Sequence, residues 1–250
     1  MILEAHRGVS KRYPENTMSS FQAAVDEGYD MIELDMCFSK DKKCLFLHDK
    51  TINRTARTKD GEEITEEKQY EDMTFDELRA LDYGLWKGEE FRGVQIPTLS
   101  EVLEFSDKNN MPLKFDSRLQ DCTDEEQEIF FNEIERYGKL VGGFTASKLD
   151  FVKKAADRFP NCDIHFDGAV TKENLENVCG FLKNNQLTTW MPVKKMFWLD
   201  FPPADEEQVR LVKQYGKAGI WIVTQQEEFE RCIELEADIV ETDGSIIPQK

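Results

Sequence analysis

Two of the three histidines in this chain of 250 residues stand at the ends of short apolar segments. His6 closes residues 2–6, and His48 follows directly on residues 44–47. A histidine exchanges its proton close to neutral pH, so two at one site can act as general base and general acid. Each could instead only cap its strand by bonding the backbone. We predict His6 and His48 as a catalytic pair, whereas His165 has no motif around it and is predicted as a core or surface residue.

Two acidic side chains interrupt the apolar segment at residues 31–38. Glu33 and Asp35 are two positions apart, so the period of a strand places both on one face. Neighbouring carboxylates repel one another and are costly to bury unless a cation lies between them. Oxygen ligands favour Mg²⁺ or Ca²⁺ over zinc. The pattern therefore predicts one hard divalent cation, with salt bridges to a neighbouring strand as the alternative.

The segment at residues 113–117 repeats this arrangement. It carries Asp116, and Arg118 falls on the same face two positions later. The guanidinium of Arg118 could bind a phosphate oxygen, or it could form a surface salt bridge. Glu4 shares the face of His6 by the same period and is predicted to point into the fold.

Apolar segments of strand length alternate with amphipathic stretches along the chain. The candidate strands are residues 2–6, 31–38, 113–117, 140–144, 163–166, 187–191, 219–223 and 238–241. The first helical pattern begins after Thr17. The others cover residues 98–105, 123–137, 147–159, 171–182, 205–215 and 226–235. Strand and helix alternation predicts a parallel sheet, and eight repeats in about 250 residues favour a closed (β/α)8 TIM barrel.

One region breaks this alternation. From about residue 44 to residue 95 the chain has a short strand, a polar stretch and a single helical run at residues 75–81. We interpret residues 50–97 as a small insertion after the second barrel strand, where it would lie at the C-terminal mouth. No linker rich in glycine, proline or serine is apparent, so residues 1–250 are predicted to form one domain.

The balance of charge restricts the partners. The chain has 32 lysines and arginines against 50 aspartates and glutamates, a formal net charge of −18. Such a surface opposes nucleic acid and anionic lipid, so we predict neither nucleic-acid binding nor stable membrane association. A phosphate-bearing ligand would need a local cation. There is no apolar run of about 18 residues and no signal-peptide pattern, which predicts a cytoplasmic protein. The oligomeric state stays open.

Six motifs follow one another in an order that resembles a known family. They are His6-Arg7-Gly8, Pro14-Glu15-Asn16-Thr17, Ile32-Glu33-Leu34-Asp35, His48-Asp49, Ile96-Pro97-Thr98-Leu99 and Ala237-Asp238-Ile239-Val240-Glu241-Thr242-Asp243. The ordered set resembles the glycerophosphodiester phosphodiesterases of the PLC-like phosphodiesterase superfamily. The resemblance implies a barrel enzyme that needs one divalent cation, Mg²⁺ or Ca²⁺, and cleaves a glycerophosphodiester to glycerol 3-phosphate and an alcohol. It also implies attack by the glycerol 2-hydroxyl, giving a cyclic phosphate that water opens.

The resemblance assigns a role to each matching position. His6 and His48 would be the acid and base. The metal ligands would be the acids of the second and third strands, Glu33, Asp35 and Asp116. Phosphate and substrate contacts would be polar and aromatic residues of the mouth, Arg7, Glu15, Asn16, Arg118 and Trp221. Trp221 would form a wall for the glycerol group, although it could equally belong to the core.

The third strand departs from the family pattern. Where the family usually has Ile-Glu-Ile-Lys, this chain has Phe115-Asp116-Ser117-Arg118. The third ligand is one methylene shorter, which predicts weaker metal binding than in typical relatives. Two other functions stay open: a lysophospholipase-D-like or phosphoinositide-phospholipase-like lipid phosphodiesterase, and a catalytically weak relative that only binds phosphate esters.

Overall fold

Eight of the ten strands in the described residues form a closed parallel barrel. The computed structural model describes residues 1–197, 199 and 201–249. The strands are β1 (Ile2–His6), β2 (Met31–Leu34), β3 (Met36–Phe38), β4 (Cys44–Phe46), β5 (Leu113–Phe115), β6 (Val141–Ala146), β7 (Asp163–Phe166), β8 (Leu187–Pro192), β9 (Lys217–Val223) and β10 (Ile239–Thr242). The barrel order is β1-β2-β5-β6-β7-β8-β9-β10, and it closes where β10 pairs with β1. The predicted TIM barrel is confirmed.

Helices connect the barrel strands and begin close to the predicted starts. They are α1 (Met18–Glu27), α2 (Phe75–Arg79), α3 (Leu99–Asn109), α4 (Asp124–Ile134), α5 (Leu149–Arg158), α6 (Lys172–Cys179), α7 (Glu206–Val212) and α8 (Gln226–Glu234). Thr98 and Glu101 form a capping box at the start of α3, and Thr123 and Glu126 form one at α4. In the described part of the chain, no helix is both long enough and apolar enough to cross a bilayer.

The second predicted strand, residues 31–38, is two strands, so this part of the prediction was wrong. Asp35 stands between β2 and β3. Its amide donates to the side-chain oxygen of Asn16 at 3.2 Å, and its carbonyl accepts from the Leu47 amide at 2.9 Å. Because these bonds are made outside the barrel ladder, the chain leaves the barrel here. β3 then pairs with β4 as an antiparallel ribbon.

The third predicted strand, residues 113–117, was predicted two residues too long. β5 ends at Phe115, and the chain continues into the 3₁₀ helix Ser117–Asp121. Alternation of faces holds only while the backbone is extended. Arg118 therefore does not share a strand face with Asp116.

The insertion at the mouth has a small apolar core of its own. Its buried members are Cys37, Leu45, Leu47, Ile52, Ala56, Leu78, Tyr83 and Ile96. α2 supplies Leu78 from the helical run predicted at residues 75–81. This core is distinct from the main core between the barrel and its helices. The chain does leave the barrel after its second strand, but the inserted segment begins with the β3–β4 ribbon and not at the predicted residue 50. The small core packs the ribbon against the segment that follows β4.

The main core generates a prediction about stability. The Phe131 ring contacts four other aromatic rings, those of Phe130, Phe144, Phe151 and Phe159. Phe131→Ala is expected to lower the free energy of unfolding by about 3–5 kcal/mol, because it removes a buried ring and leaves a cavity. Denaturant unfolding measures this. Ile233→Ala, at a residue 53% exposed, is the control and should stay within about 0.5 kcal/mol of the parent. Equal losses in the two variants would contradict this packing of the core.

Candidate active site

Side chains at the C-terminal ends of the barrel strands and in the insertion enclose a cavity of about 150 Å³. Its lining comprises His6, Arg7, Glu33, Asp35, His48, Lys114, Asp116, Thr145, Asp167, Trp190, Trp221 and Glu241. The lining thus includes both predicted histidines, the three predicted metal ligands, and two of the predicted substrate contacts. The other predicted contacts, Glu15, Asn16 and Arg118, do not line it. One cavity therefore collects most of the residues selected from the sequence.

His6 occupies the inner part of the cavity. Its Nε2 lies 3.9 Å from a carboxylate oxygen of Glu33 and 3.8 Å from one of Glu241. Burial lowers the pKa of His6 to about 4, and the charge of Glu241 only partly opposes this shift. His6 is therefore neutral at neutral pH, and its ring can accept a proton.

His48 has a different environment. Its side chain is 42% exposed, against 17% for His6. Its Nδ1 lies 2.6 Å from a carboxylate oxygen of Asp49, and Arg54 binds the other oxygen of Asp49 at 2.6 Å. Burial alone would raise the pKa of Asp49, but the hydrogen bonds from Arg54 and His48 lower it to about 2. The ionised carboxylate bonded to Nδ1 fixes the orientation of the ring.

Glu15 connects the two sides of the mouth. It accepts from Arg7 at 3.1 Å and from Arg54 at 2.7 and 2.8 Å. Arg7 belongs to the loop after β1, whereas Arg54 belongs to the insertion. Burial would raise the pKa of Glu15, but the two guanidinium groups lower it. Glu15 therefore joins the insertion to the barrel, and its place is beside the cavity.

Asn16 holds Asp35 in position. Its Nδ2 donates to a carboxylate oxygen of Asp35 at 2.7 Å, and its Oδ1 accepts from the Asp35 amide. Arg7 Nε lies 2.9 Å from the same carboxylate oxygen of Asp35. Arg7 and Asn16 both have left-handed backbone angles, with φ of 56° and 55°. Two uncommon backbone conformations in the first loop thus place both side chains on Asp35.

Acidic groups outnumber permanent cations around the cavity. Five lining residues are acidic, against one arginine and one lysine. Burial, followed by the charge of Asp35, raises the pKa of Glu33 well above its ordinary value. The same two causes raise the pKa of Asp116. The arrangement therefore favours an additional positive charge.

The donor chemistry fits a hard divalent cation, since Glu33, Asp35 and Asp116 offer only oxygen. However, the three carboxylates do not form an assembled ligand cluster. Within the described residues no three histidine, cysteine or acidic side chains form an assembled metal site. Arg7 contacts Asp35 where a cation would bind.

Arg118 lies away from the predicted phosphate position. Its guanidinium donates to the carbonyl of Leu47 at 3.0 Å and to the carbonyl of His48. Because β5 has already ended, the side chain is directed to the segment after β4. Arg118 therefore holds the backbone that carries His48.

A buried ion cluster beneath His6 was missed from the sequence. Lys114 Nζ lies 2.5 Å from a carboxylate oxygen of Glu4 and 2.6 Å from one of Glu241. It also lies 4.1 Å from the centre of the Trp190 ring. Burial would lower the pKa of Lys114, but Glu241 and Glu4 raise it. Glu4 points into the fold as its strand period predicted. Lys114 and Asp116 are two positions apart and therefore share a strand face. This spacing was the sequence signal that could have identified Lys114 as a residue of the site.

A second missed group forms the wall opposite β1. Asp167 follows β7 directly, Thr145 belongs to β6, and both line the cavity beside Trp221. Burial and the charge of Asp116 raise the pKa of Asp167 to about 6. His165 points elsewhere: it is fully buried, and its Nδ1 accepts from Trp190 Nε1 at 3.0 Å. Asp167 could have been predicted from the sequence, because it directly follows a barrel strand and such positions lie at the mouth.

Comparisons with known proteins agree with this geometry. The sequence model of the Glycerophosphoryl diester phosphodiesterase family matches residues 6–246. The chain is 32% identical over 253 residues to a glycerophosphodiester phosphodiesterase of Caldanaerobacter subterraneus, covering 97% of this chain and 93% of that protein. A solved phosphodiesterase of Oleispira antarctica, in complex with the product sn-glycerol-3-phosphate, has a TM-score of 0.79 at 20% identity, covering 98% and 94% of the two chains. A glycerophosphodiester phosphodiesterase of Thermotoga maritima has a TM-score of 0.67 at 23% identity, covering 98% and 95%. Both solved structures have the same fold.

The burial of His6 predicts its titration. In protein freed of metal, the imidazole of His6 should gain a proton only near pH 4, well below the ordinary value of 6.5, because burial disfavours the charged ring. Histidine-selective NMR across pH 3.5–8, as far as the fold stays intact, measures this. Loss of one signal in His6→Gln identifies the resonance. A His6 signal that titrates near pH 6.5 would contradict the buried environment.

Proposed function

Because the chain belongs to the glycerophosphoryl diester phosphodiesterase family, we propose that it hydrolyses glycerophosphodiesters to glycerol 3-phosphate and an alcohol. The observation that carries this proposal is the single cavity lined by both imidazoles, Arg7 and three candidate ligand carboxylates. The name of the Caldanaerobacter relative and the product bound to the Oleispira relative support the same substrate class.

The two histidines divide the proton transfers. His6 is the base of the first step, because burial keeps its ring neutral. It removes the proton of the glycerol 2-hydroxyl, whose oxygen attacks phosphorus. We assign His48 as the acid, because its ring is held through Nδ1 by Asp49 and is the more exposed of the two. It protonates the leaving oxygen as the bond from phosphorus to the alcohol breaks. In the second step His48 accepts a proton from water, the water oxygen opens the cyclic phosphate, and His6 returns its proton to the 2-oxygen.

Negative charge that develops on the phosphoryl oxygens is stabilised by the cations of the mouth. Arg7 carries the guanidinium that lines the cavity, and it would contact the phosphoryl group. Glu33, Asp35 and Asp116 would hold the divalent cation, Mg²⁺ or Ca²⁺. When bound, that ion supplies electrostatic stabilisation of the transferring phosphoryl group. The short side chain of Asp116 lowers the affinity for it.

Arg118 acts on His48. By binding the carbonyls of Leu47 and His48, its guanidinium sets the position of the acid relative to the barrel. The phosphate contact implied by the family resemblance stays a prediction for Arg118, since its described donors are directed to the backbone.

The alcohol half of the substrate is small and polar. A second cavity, of about 430 Å³, adjoins the first and shares Asp116 with it. Its lining includes the charged residues Lys50, Glu71 and Glu126. Charged walls suit a polar alcohol better than an acyl chain, which favours glycerophosphodiesters over the lipid substrates of the alternative enzymes. A cytoplasmic location, and the absence of nucleic-acid and membrane partners, stay predictions.

The catalytic pair predicts a loss of turnover without a loss of metal binding. His6→Ala and His48→Ala should each lower kcat on glycerophosphocholine by about 10²-fold or more, because each variant lacks one proton-transfer group. Release of glycerol phosphate measures turnover. Thermal melting and calorimetric metal titration are the controls and should match the parent. Near-normal kcat in both variants would refute the pair, and a parent that also fails to release glycerol phosphate would refute the function.

The ligand set predicts how metal affinity responds to substitution. Chelator-treated protein should lose most of its activity and regain it with Mg²⁺ or Ca²⁺. In calorimetry with the metal alone, Asp35→Asn should bind about tenfold more weakly than the parent or worse, because it removes a charged ligand. Asp116→Glu should bind more tightly, because it restores the missing methylene. Asp163→Asn, at the opposite end of the barrel where Asp163 pairs with Lys217, is the control. Weaker binding by Asp116→Glu would contradict the assignment of Asp116 as a short third ligand.

A further inference from the structure

Three polar side-chain atoms around the catalytic cavity, two of them on the wall opposite β1 and one on β9, have no hydrogen-bond partner among the described residues. They are Thr145 Oγ1, Asp167 Oδ1 and Trp221 Nε1. All three atoms are buried, and their residues line the catalytic cavity. A buried polar atom without a partner is costly and is uncommon in folded proteins. Three such atoms around one cavity of about 150 Å³ indicate that a ligand completes their hydrogen bonding.

The position of this wall separates it from the phosphate side. In the barrel order β7 lies four strands from β1 in either direction, so Asp167 is across the mouth from His6 and Arg7. A phosphoryl group placed against Arg7 leaves the rest of the substrate to reach the opposite wall. The carboxylate of Asp167 repels an anion, so the wall is suited to an uncharged polar group.

The three atoms are complementary to a hydroxyl group. A hydroxyl donates one hydrogen bond and accepts two. Ionised Asp167 only accepts, the Trp221 indole only donates, and the Thr145 hydroxyl can donate. A hydroxyl within reach of all three atoms would donate to Asp167 and accept from Trp221 and Thr145.

We propose that Thr145, Asp167 and Trp221 bind the terminal hydroxyl of the glycerol half of the substrate, and that Asp167 thereby selects glycerol esters over esters of other diols. This inference rests on the proposed function and adds to it a specificity-determining residue. It leaves the 2-hydroxyl free to react at His6. Asp167 and Thr145 take no part in the proton transfers.

Paired substrates test this assignment. Glycerophosphocholine is compared with the analogue in which propane-1,2-diol replaces glycerol, which keeps the attacking 2-hydroxyl and lacks only the terminal one. The parent should prefer glycerophosphocholine by about tenfold or more in kcat/KM, because the analogue leaves buried polar groups without partners. In Asp167→Ala and Thr145→Val this preference should fall to about threefold or less, through loss on glycerophosphocholine alone.

Two controls distinguish a hydroxyl site from a general loss of structure or activity. Asp163→Ala makes the same substitution at the far end of β7 and should keep the parent's preference. Calorimetric binding of glycerol 3-phosphate against propane-1,2-diol phosphate makes the same comparison without turnover, so a variant that is inactive but folded still gives a result.

Each other outcome counts against the inference. A parent that handles both substrates equally overturns it while leaving the phosphodiesterase activity in place. Variants that keep the full preference overturn it as well. A tenfold loss of Mg²⁺ or Ca²⁺ affinity in Asp167→Ala would make Asp167 a metal ligand instead. A parent that binds glycerol phosphate with the expected preference yet turns over neither diester supports the hydroxyl site and refutes the proposed function.

Discussion

Buried negative charge is the constraint on which the rest of the site depends. Carboxylates taken out of water are costly unless a cation or hydrogen bonds compensate them. The two permanent cations of the cavity are therefore each shared between two acids: Lys114 between Glu4 and Glu241, and Arg7 between Asp35 and Glu15. Burial, followed by the charge of Asp35, still raises the pKa values of Glu33 and Asp116. The remaining excess of buried negative charge is the physical argument for the proposed divalent cation at this place.

The same charge distribution distinguishes the two histidines. His6 lies deep among acids and is kept neutral by burial, although those acids would favour its charged form. His48 lies nearer to solvent, with a carboxylate on the far nitrogen of its ring. The proposed roles of base and acid rest on this difference between the two environments. Moving either ring into the other's surroundings would remove that difference.

The insertion contributes to this difference because it brings His48 to the cavity from outside the barrel. Two arginines connect the insertion to the barrel. Arg54 extends from the insertion to Glu15 in the first loop, and Arg118 extends from the barrel to the carbonyls of Leu47 and His48. The small apolar core of the insertion supports the segments that make these contacts. The loops at the mouth are thus a part of the scaffold that positions the side chains lining the cavity.

The sequence by itself determined the order of strands and helices, the helix starts at Thr98 and Thr123, and the faces of Glu33 and His6, because period and capping are local properties. Only the tertiary structure decided which charges meet. Lys114 and Glu241 are 127 residues apart and become partners through the closure of β10 onto β1. The direction of Arg118 was likewise decided by where β5 ends. Contacts of this kind depend on register across the closed barrel, which no local pattern encodes.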